Sequence, residues 1–428
     1  MWPVEDGGPA RRQTVPHAAF MLPFWPPEGS PERRGHDQKG NLNTPPLPAL
    51  EVTTRVAPAA TMVVARGPGE LFLLRHTAGE GAVAIVERID PVTLEPLVVS
   101  AELPGGPVWP GGIGAHPDGS LHVVFGNHAH RLHAETLEVE AVRRLPRDRP
   151  YNSFVVLPDG HLVTKDFGGS RPGLPVAAAD REPCELVVLE PERLTIVDRL
   201  VLPEASIARL SADGDVVYVV GDTSLLRVRW DGGALSLDDG FVAPYRTMEG
   251  QTFGWDCVIA AGAAWFLDDG DGSERFAGTL RGRGLSTAPL HLVRVDLATG
   301  VVTMAEVCGL PGGLVANPPI VDEARGIAVG YDSGNGVVVG FDVETLGVRW
   351  RRQQDHASHL LLFEETGELV TGDGGDVVVL DITTGDELAR ADLGTGMQSV
   401  LFPCPGFDRD VYVCSFAGVS RVAGGGPP

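Results

Sequence analysis

The feature that most constrains this chain is a short turn signature that returns along most of its length. An apolar run ends in an acidic or polar residue, and a small or hydroxyl-bearing residue follows within three or four positions. It reads Ile89-Asp90-Pro91-Val92-Thr93, Leu132-His133-Ala134-Glu135-Thr136 and Leu189-Glu190-Pro191-Glu192-Arg193. It returns as Val295-Asp296-Leu297-Ala298-Thr299-Gly300, Phe341-Asp342-Val343-Glu344-Thr345 and Leu380-Asp381-Ile382-Thr383-Thr384-Gly385, with a weaker copy around Trp230-Asp231-Gly232. An acidic side chain at a chain reversal accepts hydrogen bonds from the turn amides, and glycine supplies the tight φ > 0 position. From Asp90 to Asp381 the copies lie on average about 48 residues apart, a period that belongs to propeller blades. Their spacing is uneven, which excludes a regular solenoid.

Around each signature the pattern is constant: an apolar run, a glycine turn, a second run, a loop, the third run with its acidic turn, and a fourth run such as Leu97-Val98-Val99. The 55 glycines and 35 prolines are spread between these runs, which opposes a helical protein. The expectation is an all-β chain, a β-propeller of four-stranded blades. Seven signatures give seven blades. Val400-Leu401-Phe402, Val411-Tyr412-Val413 and Val419-Ser420-Arg421-Val422 add three strands that lack a fourth. Leu50 to Val56 is an unpaired strand ahead of the first blade. Placing it on the outside of the last blade closes the ring and removes an exposed edge. The chain thus reads as eight blades, with seven as the alternative. The domain reading is a proline-rich extended arm over 1–48, the propeller over 49–423 and a disordered tail over 424–428. Phe20, Leu22, Phe24 and Trp25 give the arm a means to dock on the propeller or on a second subunit, and so a route to a homo-oligomer.

A net charge of −23 disfavours nucleic acid and anionic membrane surfaces and favours a cation or a basic partner. No apolar run is long enough to span a membrane. Arg11-Arg12 precedes the apolar stretch Ala18 to Trp25, but prolines at 16, 23, 26 and 27 interrupt any export signal. Five cysteines, an odd number without a Cys-x-x-Cys, read as free thiols in a reducing, cytoplasmic setting.

The signature Asp-x-x-Thr-Gly, with a following Trp, resembles the repeat of quinoprotein-like propellers. Asp342-Val343-Glu344-Thr345-Leu346-Gly347-Val348-Arg349-Trp350 has the acid, the Thr and the Trp, with Leu346 in place of Gly; Asp381 to Gly385 has the acid, Thr and Gly. The resemblance implies architecture. It does not extend to redox chemistry, because quinone-binding members carry a vicinal cysteine pair and this chain has no adjacent cysteines. A weaker similarity in style, to gluconolactonase-like propellers, implies a divalent cation held by carboxylate and amide side chains.

Candidate site residues follow from aligning the blades on the first glycine turn (Gly69, Gly119, Gly160, Gly214, Gly262, Gly326, Gly367). Eight residues earlier, at the start of the innermost strand, stand Asn152, Ser206 and His359. Six residues later, at the end of the second strand, stand Asp166, Asp268, Asp332 and Asp373. Both positions belong to one face. Asp268 and Asn152 are candidate ligands for Ca²⁺ or Mg²⁺. His359, Asp256 and Lys165 are candidate catalytic groups; Asn152, Ser206, Asp166, Asp332, Asp373 and Arg281 are candidate ligand contacts. For any single Asp, the alternative is a turn cap. Two long insertions on that face, Phe167 to Pro183 and Asp269 to Pro289, read as binding loops or lids. Asp269-Gly270-Asp271 opens like a calcium loop, and the histidines at 116, 122, 128, 130 and 133 cluster in blade 2. The first functional reading is a small-molecule site of hydrolase, lactonase or isomerase type. The second is a non-catalytic scaffold for a protein partner, and quinone-dependent redox chemistry is a distant third.

Overall fold

The computed structural model describes residues 7–21, 49–77, 81–105, 111–167, 182–268, 286–315, 317–355, 359–394 and 398–424. The chain forms eight four-stranded antiparallel blades arranged in a ring. Each blade runs from an inner strand at the channel to an outer strand at the rim. The inner three strands are short apolar runs buried on both sides, such as Glu185–Leu189 in blade 3. Outer strands alternate between half-buried and exposed, as in Ile196–Val201. Continuous runs inside and alternation outside are what stacking each sheet between two neighbours requires. The apolar core accordingly lies between blades.

The turn signature works as its chemistry implies. Asp90 Oδ1 accepts the amides of Val92 and Thr93 and the Thr93 hydroxyl. Asp296 and Asp342 repeat all three bonds, and His133 Nδ1 accepts two amides in the same place. These donors hold the Asp90 and Asp296 carboxyls below the usual range. The fifth position is left-handed in six of the seven signatures: Gly300 and Gly385 fill it in two blades, while Leu94, Leu137, Leu194 and Leu346 fill it at φ of 56–65° in four. Leucine is strained there, and burial offsets the cost, since Leu94 and Leu194 are fully enclosed. The Leu346 departure from the quinoprotein pattern therefore preserves the turn. Trp350 locks blade 6 to blade 7. Its Nε1 donates to the Ile382 carbonyl at 2.8 Å, and its ring lies where a Cβ on Gly340 or Gly385 would clash at 2.3–2.5 Å.

Leu50–Val56 is the outer strand of blade 8, paired over all seven residues with Gly418–Gly424. It is held to blade 1 as well: Arg55 and Arg75 grip the two oxygens of buried Glu87, and Tyr412 of blade 8 donates to Pro91 O.

Candidate functional site

The end of the second strand is a structural anchor in four blades. Asp166 takes the Arg147 and Arg149 guanidiniums at 3.2 and 3.1 Å and caps the Glu185 amide. Asp268 accepts from Gln251 Nε2 at 2.8 Å, His291 Nδ1 at 2.9 Å and the His291 amide. Asp332 takes the Leu314 and Asn335 amides, Asn335 Nδ2 and the Cys308 thiol. Asp373 takes the Asp355 amide and Arg390. Each carboxylate joins the loop leading into its blade to the turn or strand beyond it. The four do not converge on the channel, and three of them are at most 1% exposed. Among the described residues, no three His, Cys, Asp or Glu side chains are grouped to hold a metal ion.

The remaining candidates are also engaged. Lys165 is buried, and its ammonium donates to the backbone oxygens of Asp166 and Ser206 at 3.2 and 3.0 Å rather than to the Asp166 carboxylate. Ser206 donates to Val220 O, and its carbonyl also accepts from Cys184 Sγ. His359 Nδ1 accepts the Leu401 amide and so bridges blades 7 and 8. Asn152 lies in the inner strand Tyr151–Val156 of blade 3, at a register shift. Arg281, the Asp269 loop and nearly all of both long insertions fall outside the described residues. In blade 2, burial pushes the His122 ring down to about 3 and the His130 ring down to about 4, so both are neutral near pH 7. All five cysteines are free thiols, and burial pushes Cys184 up to about 11 and Cys257 up to about 12.

Asp256 is the exception, because its partner comes from the far end of the chain. Residues 7–21 run through the channel. Pro9 and Ala10 carbonyls accept the Ala212 and Ile259 amides of the inner strands of blades 4 and 5. Arg11, 4% exposed, reaches Asp256 Oδ2 at 3.1 Å, an oxygen shared with Arg209 at 3.0 Å. Gln13 Nε2 donates to Pro319 O in blade 6 at 2.9 Å. Thr14–Val15 pair in parallel with the inner strand of blade 7, where the Gln13 and Val15 carbonyls accept the Leu362 and Glu364 amides. Beyond that strand, Glu368 accepts the Phe20 and Met21 amides at 2.8 and 2.9 Å, and Phe20 stacks on Phe363. A cavity of about 10 Å³, room for one water, lies between Arg11 and the inner strands of blades 1 to 4. On the arm's other side a recess of about 420 Å³ opens between residues 7–16 and Pro403, Cys404, Pro405 and Asp408 of blade 8. In the sequence Arg11-Arg12 reads only as part of an interrupted export pattern, and Gln13, Glu368 and His291 carry no signal. A buried arginine needs a carboxylate, which was the one available signal.

The architecture is an eight-bladed β-propeller. No protein-family model and no curated protein sequence matches the chain. Among solved structures it is similar to BamB from Moraxella catarrhalis, with 14% identity and a TM-score of 0.58, covering 87% of this chain and 97% of that one. It is also similar to quinohemoprotein alcohol dehydrogenases from Pseudomonas putida HK5 (10% identity, TM-score 0.63) and Comamonas testosteroni (12%, 0.62), each match covering all of this chain and 81% of the other. At such identities the similarity shows the fold alone.

Proposed function

We propose that this chain is a non-catalytic binding propeller, a scaffold that engages a protein partner, and that it does so without a catalytic cation. The observation that carries this reading is the fate of the candidate carboxylates. Asp166, Asp268, Asp332 and Asp373 are spent on holding their own blades, and Asp256 is spent on the chain's own arm. The net charge of −23 favours a basic partner and steers its approach at low salt. Five free thiols support a reducing compartment such as the cytoplasm. One observation favours the small-molecule reading instead: Asp268, positioned by Gln251, orients the His291 ring through Nδ1, which is how a carboxylate prepares a histidine for general-base work.

Thermal unfolding with and without 1 mM Ca²⁺ or Mg²⁺ tests the proposal. A cation bound at about 10 μM would add roughly 2.7 kcal/mol to the folded state and raise the melting temperature by a few degrees. The expected result is no specific shift with either ion. A saturable rise, abolished by Asp268→Asn, would overturn the scaffold reading in favour of a cation-assisted site.

A further inference from the structure

The arm is the chain's own ligand, and the way it is held says what else the channel can hold. Four of its carbonyls, those of Pro9, Ala10, Gln13 and Val15, accept amides in or beside the inner strands of blades 4, 5 and 7. Such bonds are indifferent to sequence, as in strand addition to a free sheet edge. Selectivity comes from charge. Asp256 faces Arg11, Glu323 faces Arg12 at 3.1 Å, Glu365 faces His17 at 3.1 Å, and Glu368 takes two arm amides. Four carboxylates on blades 5, 6 and 7 thus line the track of one extended basic segment.

Two further observations bear on whether that segment is replaceable. Arg11, Gln13 and His17 sit at φ of 54°, 53° and 57°. Three non-glycine residues in the left-handed region mean the arm is bound under backbone strain, and at His17 only an exposed contact to Glu365 stands against it. The arm is therefore not the best ligand its own groove could have. The other observation is the tether. The Phe20 carbonyl lies 2.4 Å from where a Cβ on Gly424 would stand, and Leu50 pairs with the same Gly424. Phe20 and Leu50 thus lie beside the same residue.

We infer that the channel is an exchangeable peptide site: an extended, arginine-bearing segment of a partner protein takes the arm's place. The inference rests on the scaffold reading and names its partner class. Arginine at the Arg11 position meets Asp256, a second cation meets Glu323, and glycine or asparagine at positions 13 and 17 lowers the strain. Because the arm belongs to the same chain, a partner must overcome the advantage of intramolecular binding.

The test uses the full chain with one protease site engineered between residues 30 and 40, cut after folding, so that the arm is held without a covalent link. The probe is a labelled synthetic peptide of residues 7–21. The expected result is one-to-one exchange into the channel. A peptide with glycine at the His17 position should bind several-fold tighter, and one with glutamate at both the Arg11 and Arg12 positions at least tenfold weaker. In the uncut chain, Arg11→Ala should raise probe affinity at least tenfold over wild type by releasing the native arm. An arm that stays bound against excess probe, or a glutamate peptide that binds equally well, would overturn the inference. So would an intact chain that is a dimer through exchanged arms, since the occupant would then be a second copy. A non-exchanging arm would leave the scaffold reading intact, because that reading fails on the cation titration instead.

Discussion

Deleting residues 1–56 should destabilise this protein far more than deleting residues 1–48, although the two variants differ by only eight residues. Both lack the arm, and both should melt below the intact chain. Only the longer deletion removes Leu50–Val56, whose seven residues are all paired to Gly418–Gly424. Main-chain hydrogen bonds worth about 1 kcal/mol each make that strand a contribution on the order of 5 kcal/mol, comparable with the whole stability of many domains. The same deletion removes Arg55 from buried Glu87, leaves the Gly418–Gly424 strand as an open edge, and loosens blade 8 from blade 1. The 1–48 variant should remain a cooperatively folded β protein by circular dichroism. The 1–56 variant should melt many degrees lower or fail to fold. Equal melting temperatures would mean that the ring does not depend on this closure.

Asp256→Ala should rank among the most damaging single substitutions in the chain, costing about 3–5 kcal/mol. The carboxylate is fully buried and is shared by the Arg11 and Arg209 guanidiniums, and it also caps the Arg209 amide. Removing it strands two cations in the channel wall, a desolvation cost that the attraction to Asp256 offsets in the native protein. Chemical denaturation of the variant beside Asp268→Ala and wild type measures the effect. The largest loss should fall on Asp256, because only there does one side chain join the arm to two blades. A loss under about 1 kcal/mol would show that the arm is not held by this pair.

What the sequence made legible was local. The acidic turn signature located the third-to-fourth reversal of seven blades because a single side chain and two nearby amides make it. Leu50–Val56 was legible because an orphan strand at one terminus and a three-stranded blade at the other solve each other. Contacts between distant residues were not legible. Arg11 and Asp256 are 245 positions apart, and Phe20 and Glu368 are 348 apart; no periodicity connects them. The four strand-end Asp residues were assigned to the correct place along their strands. Alternation, however, does not tell a carboxylate that faces a channel from one that faces the loop entering its own blade, and Arg147, Arg149, Gln251 and His291 decide that question only once folded.

The arm occupies the channel of a closed eight-bladed ring, and amide hydrogen exchange of the intact chain tests that most directly. Ala212, Ile259, Leu362 and Glu364 belong to or border inner strands whose channel-facing amides bond to arm carbonyls. They should exchange as slowly as amides in the middle of their own blades, and all four should speed up together in Arg11→Ala. Exchange at exposed-loop rates in the wild-type chain, with the blades themselves protected, would contradict an arm-filled channel.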